Sequence, residues 1–191
     1  SYIRFIMSLL KTPICNTGNK AKEFKLNSTN NKIISLNDIK GKNGTLIMFI
    51  CNHCPYVKAV INDIVNDCKN LEKFGIKAVA ISSNDVVVYP ADSFDNMIKF
   101  SKDYQFNFPY LLDDTQEVAK AYDAVCTPDF FGYNNNLRLE YRGRIRELKD
   151  LKPIRNGDSD LYKAMKQISK TGKGPKEQVS SMGCSIKWFN R

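Results

Sequence analysis

The chain has no apolar run approaching the roughly 20 residues that a membrane-spanning helix needs. Its opening residues, Ser1-Tyr2-Ile3-Arg4-Phe5-Ile6-Met7, lack a long apolar region and a small-residue cleavage site, so no secretory leader is expected there. Met7 reads as a start, and the first six residues are given no structural role. Histidine is reduced to a single residue, His53. Basic runs interleaved with aromatics are also missing. The net charge of +9 comes mostly from scattered lysines, and the densest cluster, Arg142 to Arg146, is short and broken by Gly143. Nucleic acid is therefore not expected as a partner, and neither is a membrane. Internal repeats and a dividing linker are absent. With 191 residues, 42% of them hydrophobic, the chain reads as one globular domain able to bury its own core. Its six cysteines (15, 51, 54, 68, 126, 184) are too sparse for the disulfide framework of a small secreted domain. A reducing, cytoplasmic setting is expected, where a close cysteine pair is catalytic or metal-binding more often than structural.

Such a pair is present. Phe49-Ile50-Cys51-Asn52-His53-Cys54-Pro55-Tyr56-Val57 lies where the apolar run Leu46 to Ile50 gives way to a helical pattern. Val57, Val60, Ile61, Ile64, Val65, Cys68 and Leu71 then share one stripe, the spacing of a helix face turned to a core. A thiol at such a junction sits near unpaired backbone N–H groups and the positive end of the helix, and both favour the reactive thiolate. Three fully extended residues span roughly 10 Å, whereas a disulfide needs its Cα atoms within about 7 Å. Closure of Cys51 onto Cys54 therefore requires Asn52-His53 to turn, and asparagine suits a turn.

Strand and helix signals alternate, which predicts an α/β domain. Ala21–Leu26 and Lys32–Leu36 read as short strands around a turn at Asn27–Asn31, and Asn37–Gly41 as one helical turn. Thr45–Ile50 is a strand and about Pro55 to Phe74 a single helix, with proline at a first helical position and Gly75 as the stop. Ile76–Ser82 reads as a central strand. Asp92 or Ser93 caps a helix carrying Phe94, Met97, Ile98 and Tyr104, and Asp114 with Glu117 makes a capping-box-like start for a helix through Ala121. Strands Phe130–Tyr133 and Leu137–Arg142 form a hairpin, and a helix runs from about Asp160 to Lys170. The tail to Arg191 has no assignable period.

Three segments carry a resemblance: Cys51-Asn52-His53-Cys54-Pro55-Tyr56; Phe108-Pro109-Tyr110-Leu111-Leu112-Asp113-Asp114 with Glu117 to Tyr122; and Cys126-Thr127-Pro128-Asp129-Phe130-Phe131. Over about residues 18 to 170 the chain resembles the thioredoxin-like redoxins of the AhpC/TSA family, and its Gly183-Cys184-Ser185-Ile186-Lys187-Trp188 ending is similar to that of a bacterial subgroup of redoxins. The resemblance implies a central mixed β-sheet flanked by helices, with a redoxin-type N-terminal extension. The boundaries it suggests are an arm over 1–17, the redoxin domain over 18–170 and a docked tail over 171–191. Laid on a thioredoxin or on a peroxiredoxin, Cys54 takes the attacking position. Cys51 becomes an upstream resolving partner, and Cys54-Pro55 matches the peroxidatic Cys-Pro. Thr127-Pro128 resembles the residue pair at the fold's cis-proline, whose backbone docks a peptide substrate. The buried aspartate that assists proton transfer in thioredoxins falls on Met48, which throws weight onto His53.

Each candidate has a plainer reading beside it. His53 is a thiolate-stabilising or proton-shuttling group, or a solvent-facing turn residue. Cys126, next to the Thr127-Pro128 loop, is a third redox thiol or a small packing residue. Cys184 is a distant resolving thiol, or a cysteine in a tail anchored by Trp188. Cys68 lies on the apolar stripe and is expected in the core. A metal site from Cys51, His53, Cys54 and Cys126 is disfavoured, because adjacent His53 and Cys54 chelate one tetrahedral ion poorly and no second ligand pair follows. No metal and no cofactor are expected. The expected activity is thiol-disulfide oxidoreduction by Cys54 and Cys51, with Thr127, Pro128 and Pro55 shaping the substrate edge. The partners would be a protein or small-molecule disulfide and a thiol electron donor. The alternatives are a thiol peroxidase led by Cys54 and a non-enzymatic redox-sensing or metal-handling module.

Overall fold

The computed structural model describes residues 8–190. The first six residues and Met7 lie outside the described residues. Along the chain run β1 (Leu9–Lys11), β2 (Lys25–Ser28), β3 (Ile33–Ser35), a 3-10 turn at Asn37–Ile39, β4 (Gly44–Phe49), α1 (Pro55–Lys58), α2 (Ile61–Glu72) and β5 (Ile76–Ser82). After a second 3-10 turn at Pro90–Asp92 come α3 (Phe94–Asp103), β6 (Tyr110–Leu112), α4 (Glu117–Ala121), β7 (Cys126–Thr127), β8 (Asp129–Tyr133) and β9 (Leu139–Arg142). The small hairpin β10 (Leu148–Lys149) and β11 (Lys152–Pro153) precedes α5 (Asp160–Thr171) and β12 (Met182–Ser185).

Seven strands form a mixed sheet in the order β3-β2-β6-β5-β4-β8-β9. β4, β5 and β6 are parallel, and the flanking pairs are antiparallel. The alternation of side chains along β4 splits the core in two. Leu46, Met48 and Ile50 face α2, α3 and α5, whereas Ile47 and Phe49 face Phe24, Leu36, Ala119 and Tyr122. Both faces of β4 are covered, which is why its sequence is apolar without a break. Each large aliphatic or aromatic side chain buried there contributes about 1.5–3 kcal/mol. The fold is the expected α/β mixed sheet flanked by helices.

Four local expectations need correction. The single helix from Pro55 is two. Val60 leaves the helical region at φ −120° and ψ 3°, and its N–H bonds to Val57 O, an i→i+3 contact, before α2 begins. The apolar stripe nevertheless stays buried through Leu71 apart from half-buried Val65, because side-chain periodicity reports the inward face and is blind to a local change of bonding. The first paired strand is shifted, since Asn27 and Ser28 are drawn into pairing with Leu112 and Leu111 of β6. Asp113 rather than Asp114 caps α4: its buried carboxylate accepts from Val118 N–H at 3.2 Å and Ala119 N–H at 2.9 Å. Finally, the aperiodic tail contains a strand. β12 pairs antiparallel with β1 on one side and with β7 on the other, forming a second sheet of three strands. The arm and the tail thus meet at the Thr127-Pro128 segment.

Candidate active site

Strand β4, paired on both sides, delivers the chain at its C-terminal end to the site, and α1 begins with Pro55 in its first turn and Cys54 as N-cap. The intervening bend at Asn52-His53 is held from outside. Asn52 N–H donates to Asp92 Oδ1 at 2.8 Å, Asn52 Nδ2 to Ala91 O at 3.2 Å, and the Tyr110 hydroxyl to Asn52 Oδ1 at 2.7 Å. The bend turns the Cys51 and Cys54 thiols toward one residue, Thr127. The Thr127-Pro128 peptide is cis and lies across this pair. Cys51 Sγ is 3.5 Å from Thr127 Oγ1, and Cys54 Sγ is 3.4 Å from Thr127 O.

A third thiol completes the cluster. In β12, Cys184 pairs with Thr127, and its Sγ lies 2.7 Å from Cys54 Sγ. Cys54 is wholly buried beneath it. Cys54 is held far below the ordinary thiol value. The Cys184 thiol contributes most to this and the Cys51 thiol next; burial opposes them, and the Thr127 hydroxyl and Val57 N–H add smaller support. Since α1 has only four residues and Cys54 makes no side-chain cap bond, neighbouring donors do more here than the helix terminus expected from sequence. Cys51 is pushed up chiefly because it donates to Cys54, with burial and the Asp92 charge adding. Cys184 is pushed up for the same first reason, then by burial. One sulfur is therefore poised as thiolate between two thiols that keep their protons, the protonation pattern that thiol-disulfide exchange starts from.

His53 is near Cys51 but is turned toward a carboxylate. Its Nδ1 lies 2.6 Å from Asp92 Oδ2, without the in-line geometry of a hydrogen bond, and its ring stacks on Tyr89 at 5.8 Å. Asp92, fully buried, also accepts from Asn84 Nδ2 at 2.9 Å. Met48 is buried in the core, and the buried carboxylate beside the site comes instead from Asp92. The sequence offered Asp92 only as a helix cap, a role that falls to Ser93, whose hydroxyl accepts from Asn96 N–H.

The donor atoms of Cys51, His53 and Asp92 lie within 4.8 Å of one another, a thiol, an imidazole and a carboxylate of the kind zinc takes. Cys126 is not part of that group. The Asp92 oxygens already serve Asn52, Asn84 and His53, so a metal would have to displace those contacts.

Among the remaining thiols, Cys126 is buried on β7 and raised by burial, and Cys68 is a core residue raised by burial. The arginines of the basic cluster are each matched by an aspartate: Arg142 by Asp129, Arg144 by Asp160 and Arg146 by Asp63. Beside the thiols opens a cleft of about 790 Å³ whose lining includes Tyr56, Val60, Pro128, Ile145 and Met182. A smaller cavity of about 430 Å³ is lined by Ile39, Cys68 and Phe108 and by none of the clustered thiols.

Residues 17–148 match the AhpC/TSA family. The chain belongs to that family. This redoxin is 38% identical to an uncharacterized conserved protein from Geobacillus kaustophilus, with a TM-score of 0.91 over 97% of this chain and 98% of the other. A hypothetical protein from Sinorhizobium meliloti 1021 is 33% identical, with a TM-score of 0.87 over 95% and 99% of the two chains. The thiol-disulfide oxidoreductase ResA of Bacillus subtilis is 32% identical over 117 residues, which are 61% of each protein, so the match spans about three-fifths of that relative. The thioredoxin domain of a Bacteroides vulgatus thiol-disulfide oxidoreductase, at 18% identity and a TM-score of 0.56, shows the thioredoxin-like fold alone.

Proposed function

We propose that this redoxin is a thiol-disulfide oxidoreductase led by Cys54. The observation that carries the reading is the buried Cys54 sulfur, 2.7 Å from Cys184 Sγ and, like Cys51, in contact with Thr127 of the cis Thr127-Pro128 turn. In the cycle, the Cys54 thiolate attacks one sulfur of a substrate disulfide and expels the other as a thiolate. Cys51 then gives up its proton and attacks Cys54 Sγ, releasing the reduced substrate and leaving a Cys51–Cys54 disulfide. A dithiol donor returns the two electrons, and a protein or small-molecule disulfide is the substrate class. The family membership and the likeness to ResA support this reading, as does the site's location at the C-terminal end of a central strand. A cytoplasmic setting, where thiols are kept reduced, belongs to the same proposal.

The experiment is reduction of insulin or a small aromatic disulfide by the pre-reduced protein, with Cys54→Ser alongside. Turnover that disappears in Cys54→Ser is expected. Full activity in that variant would sink the assignment.

One observation favours a second reading. Cys54 is fully buried, and a small oxidant reaches such a sulfur more readily than a protein disulfide does. Peroxide would oxidise Cys54 to a sulfenic acid, which a neighbouring thiol condenses to a disulfide with loss of water. Against it, the guanidinium of Arg142 is committed to Asp129, Asp123 O and the Phe131 ring. Stopped-flow mixing with micromolar peroxide, read by Trp188 fluorescence, separates the two: fast oxidation of Cys54 with no insulin reduction would reverse their order.

A further inference from the structure

The peptide edge next to Thr127-Pro128 is occupied by the protein itself. Cys184 pairs with Thr127 and Ser185 with Cys126, in the antiparallel sense. Ser181 Oγ donates to Pro128 O at 2.8 Å, and β1 closes the outer side of the tail. Beyond Cys184 the segment is pinned again. Ile186 is buried in the core, Lys187 N–H donates to Asn84 Oδ1 at 2.8 Å, and Lys187 O accepts from Gln116 Nε2 at 2.9 Å and Asp85 N–H at 2.8 Å. Gly183 is what lets the strand come so close, because a Cβ there would sit 2.0 Å from Thr127 O. Cys184 is therefore placed against Cys54 by anchors on both sides, 130 residues away along the chain.

We propose that Cys184 is a third redox thiol, which attacks Cys54 Sγ of the Cys51–Cys54 disulfide and transfers that disulfide onto the tail strand. The proposal rests on the oxidoreductase reading, which generates the Cys51–Cys54 disulfide. In the step, the S–S bond between Cys54 and Cys51 breaks and one between Cys54 and Cys184 forms. The proton leaving Cys184 ends on Cys51, and no net electrons move, the substrate having already taken two. Cys184 Sγ already touches Cys54 Sγ, and the Cys51 and Cys54 sulfurs both meet Thr127, at its hydroxyl and its carbonyl oxygen, so the three sulfurs are gathered at one residue for the exchange. From 2.7 Å, bond formation at about 2.05 Å needs the Cys184 and Cys54 sulfurs to close by only about 0.7 Å. The consequence is an order of events. The strand that already fills the peptide edge in the reduced protein becomes fixed there covalently, and it is released only when a dithiol has reduced the pair.

The test is a disulfide map. Fully reduced wild type, Cys51→Ser and Cys184→Ser are treated with one equivalent of diamide, which removes two hydrogens, then alkylated and digested with trypsin without reduction. Cys51 and Cys54 share the peptide 43–58, while Cys184 lies on 177–187, so a cross-link between the two peptides reports the tail. In Cys51→Ser that cross-link must come from Cys54. We expect it as the main product there, in monomeric protein two mass units lighter. Wild type should give it beside the loop within 43–58, and Cys184→Ser the loop alone. If oxidised wild type yields only the loop, and Cys51→Ser leaves Cys54 alkylated or joined between molecules, the relay is wrong. Circular dichroism of each variant guards the comparison, and should Cys51→Ser not fold, the presence or absence of the cross-link in wild type decides. Insulin reduction is measured on the same wild-type sample. Activity without the cross-link refutes the relay alone, whereas the cross-link without any disulfide reduction refutes the oxidoreductase reading and supports the thiol contact.

Discussion

Replacing Gly183 by alanine moves the third thiol without deleting it. The added Cβ would lie 2.0 Å from Thr127 O, and ordinary contact begins near 3.4 Å, so strand and edge must part by about 1.4 Å. The obstacle is backbone on a buried turn, so no side chain can swing away to relieve it. A displacement of that size takes the Cys184 sulfur from 2.7 Å to beyond useful hydrogen-bonding distance of Cys54 and removes the largest contribution to its low pKa. A hydrogen bond to a charged group is worth about 1.5–3 kcal/mol, which corresponds to a roughly 10- to 160-fold smaller acid dissociation constant for Cys54. Wider solvent access works the other way, but burial ranks below both thiol contacts among the causes of the Cys54 shift, so the net change is upward. The assay is the pH dependence of Cys54 alkylation by iodoacetamide, followed by mass spectrometry. Two features should move together: the plateau rate rises because the buried sulfur is uncovered, and the midpoint shifts to higher pH because the thiolate has lost its donor. A folded Gly183→Ala protein whose midpoint stays where the wild type's is would refute the claim that Cys184 holds Cys54 ionised.

Three further outcomes follow from the buried charges. Asp67, buried beside the Ser159 hydroxyl that caps α5, is raised to about 6, mainly by burial. Its contribution to stability is full below its unfolded pKa near 4 and is lost as pH rises through 6. Asp67→Asn should therefore add about 1–3 kcal/mol at pH 7.5 in urea unfolding and flatten the profile between pH 4 and 6, and a destabilised variant at pH 7.5 would contradict the assignment. Cys51 and Cys68 are raised well above the ordinary thiol value, Cys51 first by its contact with Cys54 and Cys68 first by burial. Stability from both is present below about pH 8.5 and should fall above it by about 1.4 kcal/mol per pH unit for each. A flat melting profile from pH 8.5 to 10 under reductant would contradict it. Asp92→Ala should cost about 2–6 kcal/mol, at about 1–3 kcal/mol for each of the two buried donors left unpaired, and should leave Cys51 more reactive toward alkylation. A loss below 1 kcal/mol would mean that the Asn52-His53 bend holds itself.

Much of the fold was legible because its signals are local. The unbroken apolar run at Leu46 to Ile50 announces a strand covered on both faces, and the stripe from Val57 to Leu71 announces an inward helix face. Gly75, at φ +78°, marks a stop in the left-handed region that glycine adopts without strain. The errors arose where hydrogen-bonding partners come from elsewhere. The Asn27-Ser28 pair looks like a turn until β6 offers it a ladder, and Asp113 and Asp114 are interchangeable until the chain's path points one of them at Val118 and Ala119. Nothing in the helical spacing signals that Val60 breaks the helix.

The active cysteines divide the same way. That Cys51 and Cys54 sit at a strand-to-helix junction with a proline in the first turn was decided by sequence alone, because residues three apart are kept together by the covalent chain. That Cys184 touches Cys54, that β12 fills the Thr127-Pro128 edge, and that Asp92 holds the bend at Asn52 were decided only by tertiary structure. These contacts join residues 130, 57 and 40 positions apart, and no propensity or period encodes which distant strand will find an open edge. That choice belongs to sheet register and to the packing of both cores, and it sets the neighbours that tune the central thiol.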